Sequence, residues 1–187
     1  MDPQFVNVGN YGIKGFSYYW TRRKRLNITE DELRTAGVHD GHAYVRKEIV
    51  RPLRLANKTL KLFGYKMVVK DGLRPPAAYE LAQRKLYASR GQELTDATLN
   101  MEKMPHASGL VVDIGLIDLA TGKEVWLRKG ADDKLGAWRI GYYAGKDDAE
   151  SVEFQRLQTI LIGAMISAGF VLGSKGEFWH FEYPLAE

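Results

Sequence analysis

The sequence predicts an α+β fold in which a small antiparallel sheet packs against helices within a single domain. Two long stretches, residues 44–63 and 151–169, place apolar side chains at helical spacing. Between them lie short runs rich in valine and aromatic residues, bounded by turn signals. The 187 residues match the usual size of one domain, and the sequence shows no repeat, low-complexity stretch or linker. We therefore expect residues 1–187 to form one domain.

The first 41 residues predict an irregular N-terminal segment, because five glycines interrupt it. Within this segment, Thr29 is followed three residues later by Glu32, which is the spacing of a capping box. A threonine in that position accepts a hydrogen bond from the first turn, and the glutamate reaches back to the cap. We therefore expect a short helix to start after Thr29.

Residues 44–63 predict a helix, which Pro52 either kinks or divides in two because proline lacks the N–H that a helix interior uses. Gly64 is a typical helix end. The valine-rich alternation of residues 65–70 predicts a strand, and the Asp-Gly pair at residues 71–72 predicts a turn after it.

The two prolines at residues 75–76 suit the first turn of a helix, and residues 77–90 are good helix formers. Residues 91–107 are polar and predict a long loop, and long loops in compact domains are often functional. The remaining chain predicts short strands around one long helix. We expect strands at residues 110–116, 123–127, 170–172 and 178–183, a hairpin turn at residues 121–122, and a helix at residues 151–169.

The composition is that of an ordinary globular protein, with 45% hydrophobic and 27% charged residues. It excludes a disordered chain and collagen-like or coiled-coil repeats. The sequence has no cysteine, which excludes disulfides, thiolate metal sites and cysteine nucleophiles. Any metal site must therefore be built from His, Asp or Glu.

The charge balance is mildly basic, since 27 Lys and Arg residues face 23 Asp and Glu residues and the net charge is +4. The one dense basic run, RRKR at residues 22–25, is best explained as a solvated segment. A nucleic-acid surface needs more basic residues along one face, with aromatic residues among them. We therefore expect no nucleic-acid partner.

Membrane insertion is not predicted, because no apolar stretch approaches the roughly 20 residues of a membrane span. The first residues, MDPQF, lack the basic, apolar and small-residue regions of a signal peptide. The expected location is the cytoplasm, or the periplasm if a leader preceded this sequence.

Of the four histidines, His39 and His42 lie in a polar, glycine-containing stretch and are best explained as surface residues. His106 precedes Asp113 by seven positions, across a turn and into a strand. Asp113 interrupts the apolar run LVVDIGL, where an ionised carboxylate costs several kcal/mol unless it is compensated. A salt bridge, backbone hydrogen bonds or a metal ion would each provide that compensation.

His180 lies in the aromatic segment EFWHFEY at residues 177–183, and alone it is best explained as a core histidine. With His106 and Asp113 it completes three metal ligands, and water can occupy the fourth position of such a site, as in catalytic zinc sites. Glu177 is then left to accept the proton of that water. Glu177 and His180 have opposite parity in a regular strand, so Glu177 must lie in the loop before the strand, or a bulge must intervene.

Arg74 follows a predicted strand and precedes a predicted helix, in the DGLRP segment at residues 71–75. It is either a surface or salt-bridging arginine, or a planar donor fork aimed at a carboxylate or a developing oxyanion. The residues alone leave both interpretations open.

Taken together, three segments resemble the D-alanyl-D-alanine dipeptidase family of zinc metallopeptidases, which is related to zinc D-Ala-D-Ala carboxypeptidases. The family patterns are D-G-x-R-P with an aromatic or apolar x, H-x-x-G-x-x-x-D, and E-x-W-H, in this order. Here they are DGLRP at residues 71–75, HASGLVVD at 106–113 and EFWH at 177–180. Each motif alone is weak, but their order, spacing and ligand types are fairly specific together. The resemblance spans roughly residues 44–183.

The resemblance implies a hydrolase that cleaves D-Ala-D-Ala-type bonds in a dipeptide or a peptidoglycan peptide, in wall metabolism or glycopeptide resistance. It implies one zinc ion per chain, bound by His106, Asp113 and His180. It also implies that Glu177 is the general base and later the general acid toward the leaving amine. By the same resemblance, Arg74 stabilises the oxyanion.

Two departures from the family concern substrate selection. Met104 stands where the family usually has a serine, two residues before the first metal-binding histidine. Residues 137–140 contain no acid where the family usually has an aspartate for the substrate's amino group. We therefore expect weaker discrimination between a free dipeptide and an N-blocked peptide. Asp132 and Asp133 are the first candidates for a substitute acid.

Two alternative functions stay open. The first is a D,D-carboxypeptidase or endopeptidase acting on longer wall peptides, which the missing polar groups favour. The second is a non-catalytic binding module that keeps the zinc. The presence of Glu177 argues against the second alternative, because a site without catalysis does not need that carboxylate.

Overall fold

The computed structural model describes residues 2–130, 135–173 and 176–185, with the backbone alone at Leu135. These residues form both helices and strands, which confirms the α+β class. The strands are β1 Phe5–Asn7, β2 Lys14–Gly15, β3 Tyr44–Arg46, β4 Tyr65–Asp71, β5 Val111–Asp118, β6 Glu124–Val125, β7 Val171–Leu172 and β8 His180–Glu182. The α-helices are α1 Tyr18–Arg22, α2 Glu30–Thr35, α3 Val50–Leu62, α4 Pro76–Arg90, α5 Gln92–Thr98 and α6 Ala149–Ser167.

The strands belong to two sheets. Strands β1 and β3 form an antiparallel pair in which Val6 lies opposite Val45. The second sheet has the order β2-β4-β5-β8-β7, with β6 paired to β5. Its β5–β6 and β7–β8 pairs are antiparallel, so the predicted antiparallel hairpin after β5 is present.

The chain folds into two compact units. The first comprises Met1–Lys47 and Val69–Val112, and the second comprises Glu48–Val68 and Asp113–Glu187. Each unit therefore takes two separate stretches of the sequence, and two of the three boundaries fall inside strands β4 and β5. The organisation of residues 1–187 as one domain stays a prediction.

The N-terminal 41 residues are more regular than the sequence predicts, since β1, β2, α1 and α2 lie within them. Their elements are short, and β1 pairs with β3 almost forty residues later, so no local pattern reveals them. The predicted helix start after Thr29 is confirmed. The Glu32 N–H donates to Thr29 Oγ1 at 3.1 Å, and the Thr29 N–H donates to Glu32 Oε2 at 2.8 Å.

Helices α2 and α4 build the core of the first unit, which includes the buried residues Leu33 and Tyr79. Helix α4 begins at Pro76 as predicted, because a proline in the first turn gives up no helical hydrogen bond. The loop predicted over residues 91–107 is wrong. Gly91, at a φ of +87°, ends α4, and α5 follows directly. The polar composition misleads because most of α5 is solvated, although Thr95 is fully buried.

Helices α3 and α6 pack together in the second unit, with Leu53 and Leu161 both fully buried. The helix predicted from residue 44 begins only at Val50, because residues 44–46 form β3. Pro52 neither kinks nor divides α3. It is the third residue of the helix, where backbone N–H groups have no partner within the helix. Gly64, at a φ of +84°, ends this region as predicted.

The turn predicted at residues 71–72 is wrong, since Asp71 is the last residue of β4 and the chain continues without a turn. Gly72 lies so close to β3 that a Cβ would be 2.3 Å from the Tyr44 carbonyl oxygen. The Leu73 N–H donates to the same oxygen at 2.6 Å. Glycine is needed at this position for a close backbone approach, and a turn is not formed.

None of the described helices is both long and apolar enough to cross a membrane. Of the strand predicted at residues 178–183, only β8 is regular, because residues 178–179 form a turn before it. The strand predicted at residues 110–116 is present as β5, and the helix predicted at 151–169 is present as α6.

Candidate metal centre and catalytic residues

His106 is held firmly within the first unit and is only 2% exposed. It lies in the 3₁₀ helix Pro105–Ser108, where its backbone N–H donates to the Tyr79 hydroxyl at 2.9 Å. The ring Nδ1 lies 2.9 Å from the Gly72 carbonyl oxygen. Because a carbonyl oxygen only accepts, Nδ1 donates to it, and Nε2 is the ring nitrogen that can bind a metal ion. A carbonyl partner of this kind is typical of a metal-binding histidine.

Asp113 and His180 form a close pair within the second unit. The His180 Nδ1 lies 2.9 Å from Asp113 Oδ1. The two strands that carry these side chains meet where the Ile114 N–H donates to the Trp179 carbonyl at 2.9 Å. Asp113, the carboxylate that interrupts the apolar run of β5, therefore has a partner in His180. His180 is itself only 9% exposed.

The charges around His180 favour its protonated form when no metal is bound. Burial acts to lower the pKa of His180. The hydrogen bond and charge of Asp113, with the charges of Glu177 and Glu182, outweigh burial and raise that pKa. A metal ligand must be deprotonated, so protons and a metal ion compete for this imidazole.

The Cδ2–Nε2 edge of the His180 ring, opposite the Nδ1 that contacts Asp113, lies against Gly173. A Cβ at Gly173 would lie 2.1 Å from His180 Cδ2 and 2.9 Å from Nε2. The Gly173 N–H also donates to the His180 carbonyl at 3.1 Å, which fixes this approach. Glu182 Oε1 lies 3.6 Å from Nε2 on the same edge. The Nδ1 edge of the ring is therefore the one that faces Asp113.

We expect Gly173→Ala to weaken zinc binding by about 10- to 100-fold, the range typical of residues that orient metal ligands. The added methyl group would lie 2.1 Å from His180 Cδ2, which is shorter than any van der Waals contact, so the His180 ring must move. Zinc affinity is measured by competition with a chelator. Gly163→Ala on α6 is the matched control, since a Cβ there meets nothing within 4 Å. Unchanged affinity in Gly173→Ala would refute this role.

The structure brings together the three ligands predicted from the sequence. His106, Asp113 and His180 each offer one ligand atom, and these atoms lie within 4.8 Å of one another. In a tetrahedral zinc site with bonds of about 2.0 Å, two ligand atoms lie about 3.3 Å apart. The 2.9 Å separation of Asp113 Oδ1 and His180 Nδ1 is close to that value. Two imidazoles and a carboxylate are also zinc's usual donors, so the residues fit this ion.

Glu177 precedes β8, so the parity conflict with His180 does not arise. It forms an isolated antiparallel bridge with Arg139, and the Phe178 N–H donates to the Trp138 carbonyl at 3.2 Å. A turn then leads into β8, where the His180 N–H donates back to the Glu177 carbonyl at 3.3 Å. The charge of Glu177 contributes to the raised pKa of His180.

Arg74 is 9% exposed and paired within the first unit. Its Nε and Nη2 donate to Asp71 Oδ2 at 3.1 and 2.6 Å. The guanidinium also lies over the rings of Tyr19 and Tyr79, at 4.9 and 4.6 Å from their centroids. Its backbone N–H donates to the His106 carbonyl at 3.2 Å. Arg74 is therefore a salt-bridging arginine, and its role as a donor to an oxyanion stays a prediction.

Three residues of this arrangement were not predicted, namely Asp71, Tyr19 and Tyr79. Asp71 precedes Arg74 by three positions in the same motif, so its pairing had a sequence signal. Tyr19 lies in α1, far from the motif, and Tyr79 lies near the start of α4, just after the motif, but no local pattern indicates their contacts with Arg74. Burial raises the pKa of Tyr19 strongly, so the ring against Arg74 is a neutral phenol.

The residues of the two predicted departures are apolar or cationic. Met104 adopts a φ of +41° and packs against the core of the first unit. Ala137 is fully buried and Arg139 is exposed. Asp132 and Asp133, the predicted substitute acids, lie outside the described residues. His39 and His42 are exposed, which confirms their prediction as surface residues.

No protein-family model matches this chain, and no curated protein matches it. The solved structures to which it is similar include the following two. One is the LdcB LD-carboxypeptidase, described in connection with peptidoglycan recognition, with 18% identity and a TM-score of 0.48 over 75% of this chain. The other is the vancomycin resistance D,D-pentapeptidase VanY from a VanB-type cassette, in complex with Zn(II), with 13% identity and a TM-score of 0.48 over 75%.

The chain spans 59% of the length of the LdcB structure and 73% of the VanY structure.

Proposed function

We propose that the protein is a zinc-dependent peptidase of the zinc D-Ala-D-Ala peptidase superfamily. The observation that carries the proposal is the set of three ligand atoms, from His106, Asp113 and His180, within 4.8 Å of one another. Glu177 immediately precedes the turn that leads to His180, and its charge contributes to the raised pKa of His180. A binding module would use the three ligands but not this carboxylate.

The residues divide the reaction between them. Zinc, when bound, polarises a carbonyl group and makes a bound water more acidic. Glu177 accepts the proton of the attacking water and passes it to the leaving amine, so one carboxylate serves both steps. The guanidinium of Arg74 donates to the negative charge that develops on the scissile carbonyl oxygen. The hydrogen bonds to Asp71 and the rings of Tyr19 and Tyr79 hold this guanidinium in position.

The proposed substrates contain D-Ala-D-Ala-type bonds, in a free dipeptide or in a longer peptidoglycan peptide. The longer peptide is favoured by one observation: the described residues 136–140 contain no acid for a free ammonium, and Ala137 is fully buried. We therefore keep D,D-carboxypeptidase activity beside dipeptidase activity as the second candidate. Hydrolysis of free D-Ala-D-Ala, of its N-acetyl derivative and of a pentapeptide distinguishes the two.

We expect the purified protein to contain about one zinc ion per chain and to lose both zinc and peptidase activity in His180→Ala. Removal of this imidazole leaves two ligands, which is too few for a stable zinc site. Metal content is measured by elemental analysis after dialysis, and activity is measured before and after chelation and zinc return. His39→Ala is the matched control, because His39 is exposed and predicted to be a surface residue. Full zinc retention in His180→Ala would exclude the proposed site.

A further inference from the structure

Arg139 lies directly opposite Glu177 in the short antiparallel bridge that precedes β8. The Ile140 N–H donates to the Gly176 carbonyl at 2.9 Å, and the Phe178 N–H donates to the Trp138 carbonyl at 3.2 Å. These bonds flank the bridge, so Arg139 and Glu177 form a non-hydrogen-bonded pair. Side chains of such a pair point to the same face and approach most closely, with Cβ atoms about 4.5–5.5 Å apart.

Backbone hydrogen bonds also hold the Arg139 backbone in place. Besides the two bonds to the Glu177 segment, the Arg139 N–H donates to the Gly136 carbonyl at 3.1 Å. Ala137, two residues earlier, is fully buried and anchors the segment. The backbone of Arg139 is thus held from both sides, while its side chain is exposed to solvent. Binding a ligand through this guanidinium therefore has to order the side chain but not the backbone.

The positive charge of Arg139, beside the proposed base Glu177, affects which substrate groups can bind there. Arginine donates through a planar fork that matches a carboxylate, and it disfavours an ammonium group in the same place. The scissile bond must lie within reach of the Glu177 carboxylate, so Arg139 lies within a side chain's length of it. A substrate group near that bond meets a positive charge.

We propose that Arg139 binds a carboxylate of the substrate, and this inference rests on the proposed peptidase function. The carboxylate comes from one of two sources. It is the terminal carboxylate of the residue that is released, or an acidic group on the amino-terminal side of the scissile bond. Both sources present the same chemistry to the guanidinium, and substrates that carry one of them at a time distinguish them.

The test uses three N-blocked peptides. Acetyl-D-Ala-D-Ala has only the terminal carboxylate, succinyl-D-Ala-D-Ala amide has only a carboxylate on the amino-terminal side, and acetyl-D-Ala-D-Ala amide has neither. In Arg139→Gln we expect kcat/KM to fall about tenfold for one of the two charged peptides, relative to the neutral amide. A hydrogen bond to a charged group at an exposed site supplies a factor of this size. Arg139→Lys should restore part of the preference.

The controls separate this role from others. Arg54→Gln removes the same charge from an exposed position on α3 of the same unit and should leave all ratios unchanged. If Arg139→Gln lowers kcat/KM equally for all three peptides, Arg139 acts through Glu177 and the proposal is wrong. If it changes none of them, the proposal is also wrong.

Binding of the same peptides is measured in parallel by calorimetry, with zinc-loaded Glu177→Gln and with Glu177→Gln that also carries Arg139→Gln. This arm does not need turnover, so it tests Arg139 even if the wild-type protein cleaves none of the peptides. We expect the preference for one charged peptide over the neutral amide to disappear with Arg139. Equal affinities in both proteins would overturn the proposal independently of the peptidase activity.

Discussion

Glu177→Gln is expected to lower kcat by about 10²–10⁴-fold while the protein keeps its zinc, because general acid–base catalysis contributes rate enhancements of this size. Glutamine preserves the size of the side chain but cannot accept a proton. In the proposed mechanism, water activation and protonation of the leaving amine both depend on this carboxylate, so no other step compensates for its loss. Turnover and zinc content are measured on the same preparation.

Glu182→Gln is the matched control for this change, since Glu182 also lies close to His180. Its Oε1 is 3.6 Å from His180 Nε2, on the ring edge that rests on Gly173. Asp113 binds the other edge, at Nδ1. We therefore expect Glu182→Gln to keep most of the activity. Loss of zinc in Glu177→Gln would make Glu177 a ligand, and loss of activity only in Glu182→Gln would make Glu182 the base.

The sequence indicated the three residues of the candidate metal site because of where each of them stands in the sequence. Asp113 interrupts an apolar run, and His106 and His180 are two of only four histidines. The sequence also indicated that Glu177 and His180 reach the same site only if Glu177 precedes the strand or a bulge intervenes. The structure resolves this conflict by a turn at residues 178–179, a feature that local composition did not indicate.

Elements that depend on distant partners were not predicted. Residues 44–46 continue the helical pattern of α3, yet they form β3 because β1 offers a strand for pairing. Tyr79 contacts both Arg74 and His106 from α4, and Tyr19 contacts Arg74 from α1. Such contacts are decided by tertiary packing, which overrides local propensity.

The other large loss of activity is expected on replacement of Arg74, which also forms a buried ion pair with Asp71. If Arg74 donates to the developing oxyanion, its removal should lower kcat by about 10²–10³-fold, the cost of losing one such donor. Arg74→Ala, however, also leaves the Asp71 carboxylate without its guanidinium, and Asp71 is only 2% exposed. Breaking a buried pair in this way costs about 3–5 kcal/mol of folding free energy. A loss of activity in Arg74→Ala alone could therefore come from the lost oxyanion donor or from unfolding of the protein.

The double variant with Asp71→Asn and Arg74→Ala separates the two effects, because it removes both charges and leaves no unpaired carboxylate. We expect it to recover most of the thermal stability that Arg74→Ala loses, while kcat stays about 10²–10³-fold below the wild type. Arg74→Lys should keep the ion pair with Asp71 but rescue kcat poorly, because an ammonium lacks the planar fork that stacks between Tyr19 and Tyr79. Tm and the separate values of kcat and KM are measured for all three variants. If kcat recovers together with Tm in the double variant, Arg74 only stabilises the fold. If only KM changes, Arg74 holds the substrate equally in the ground state and the transition state.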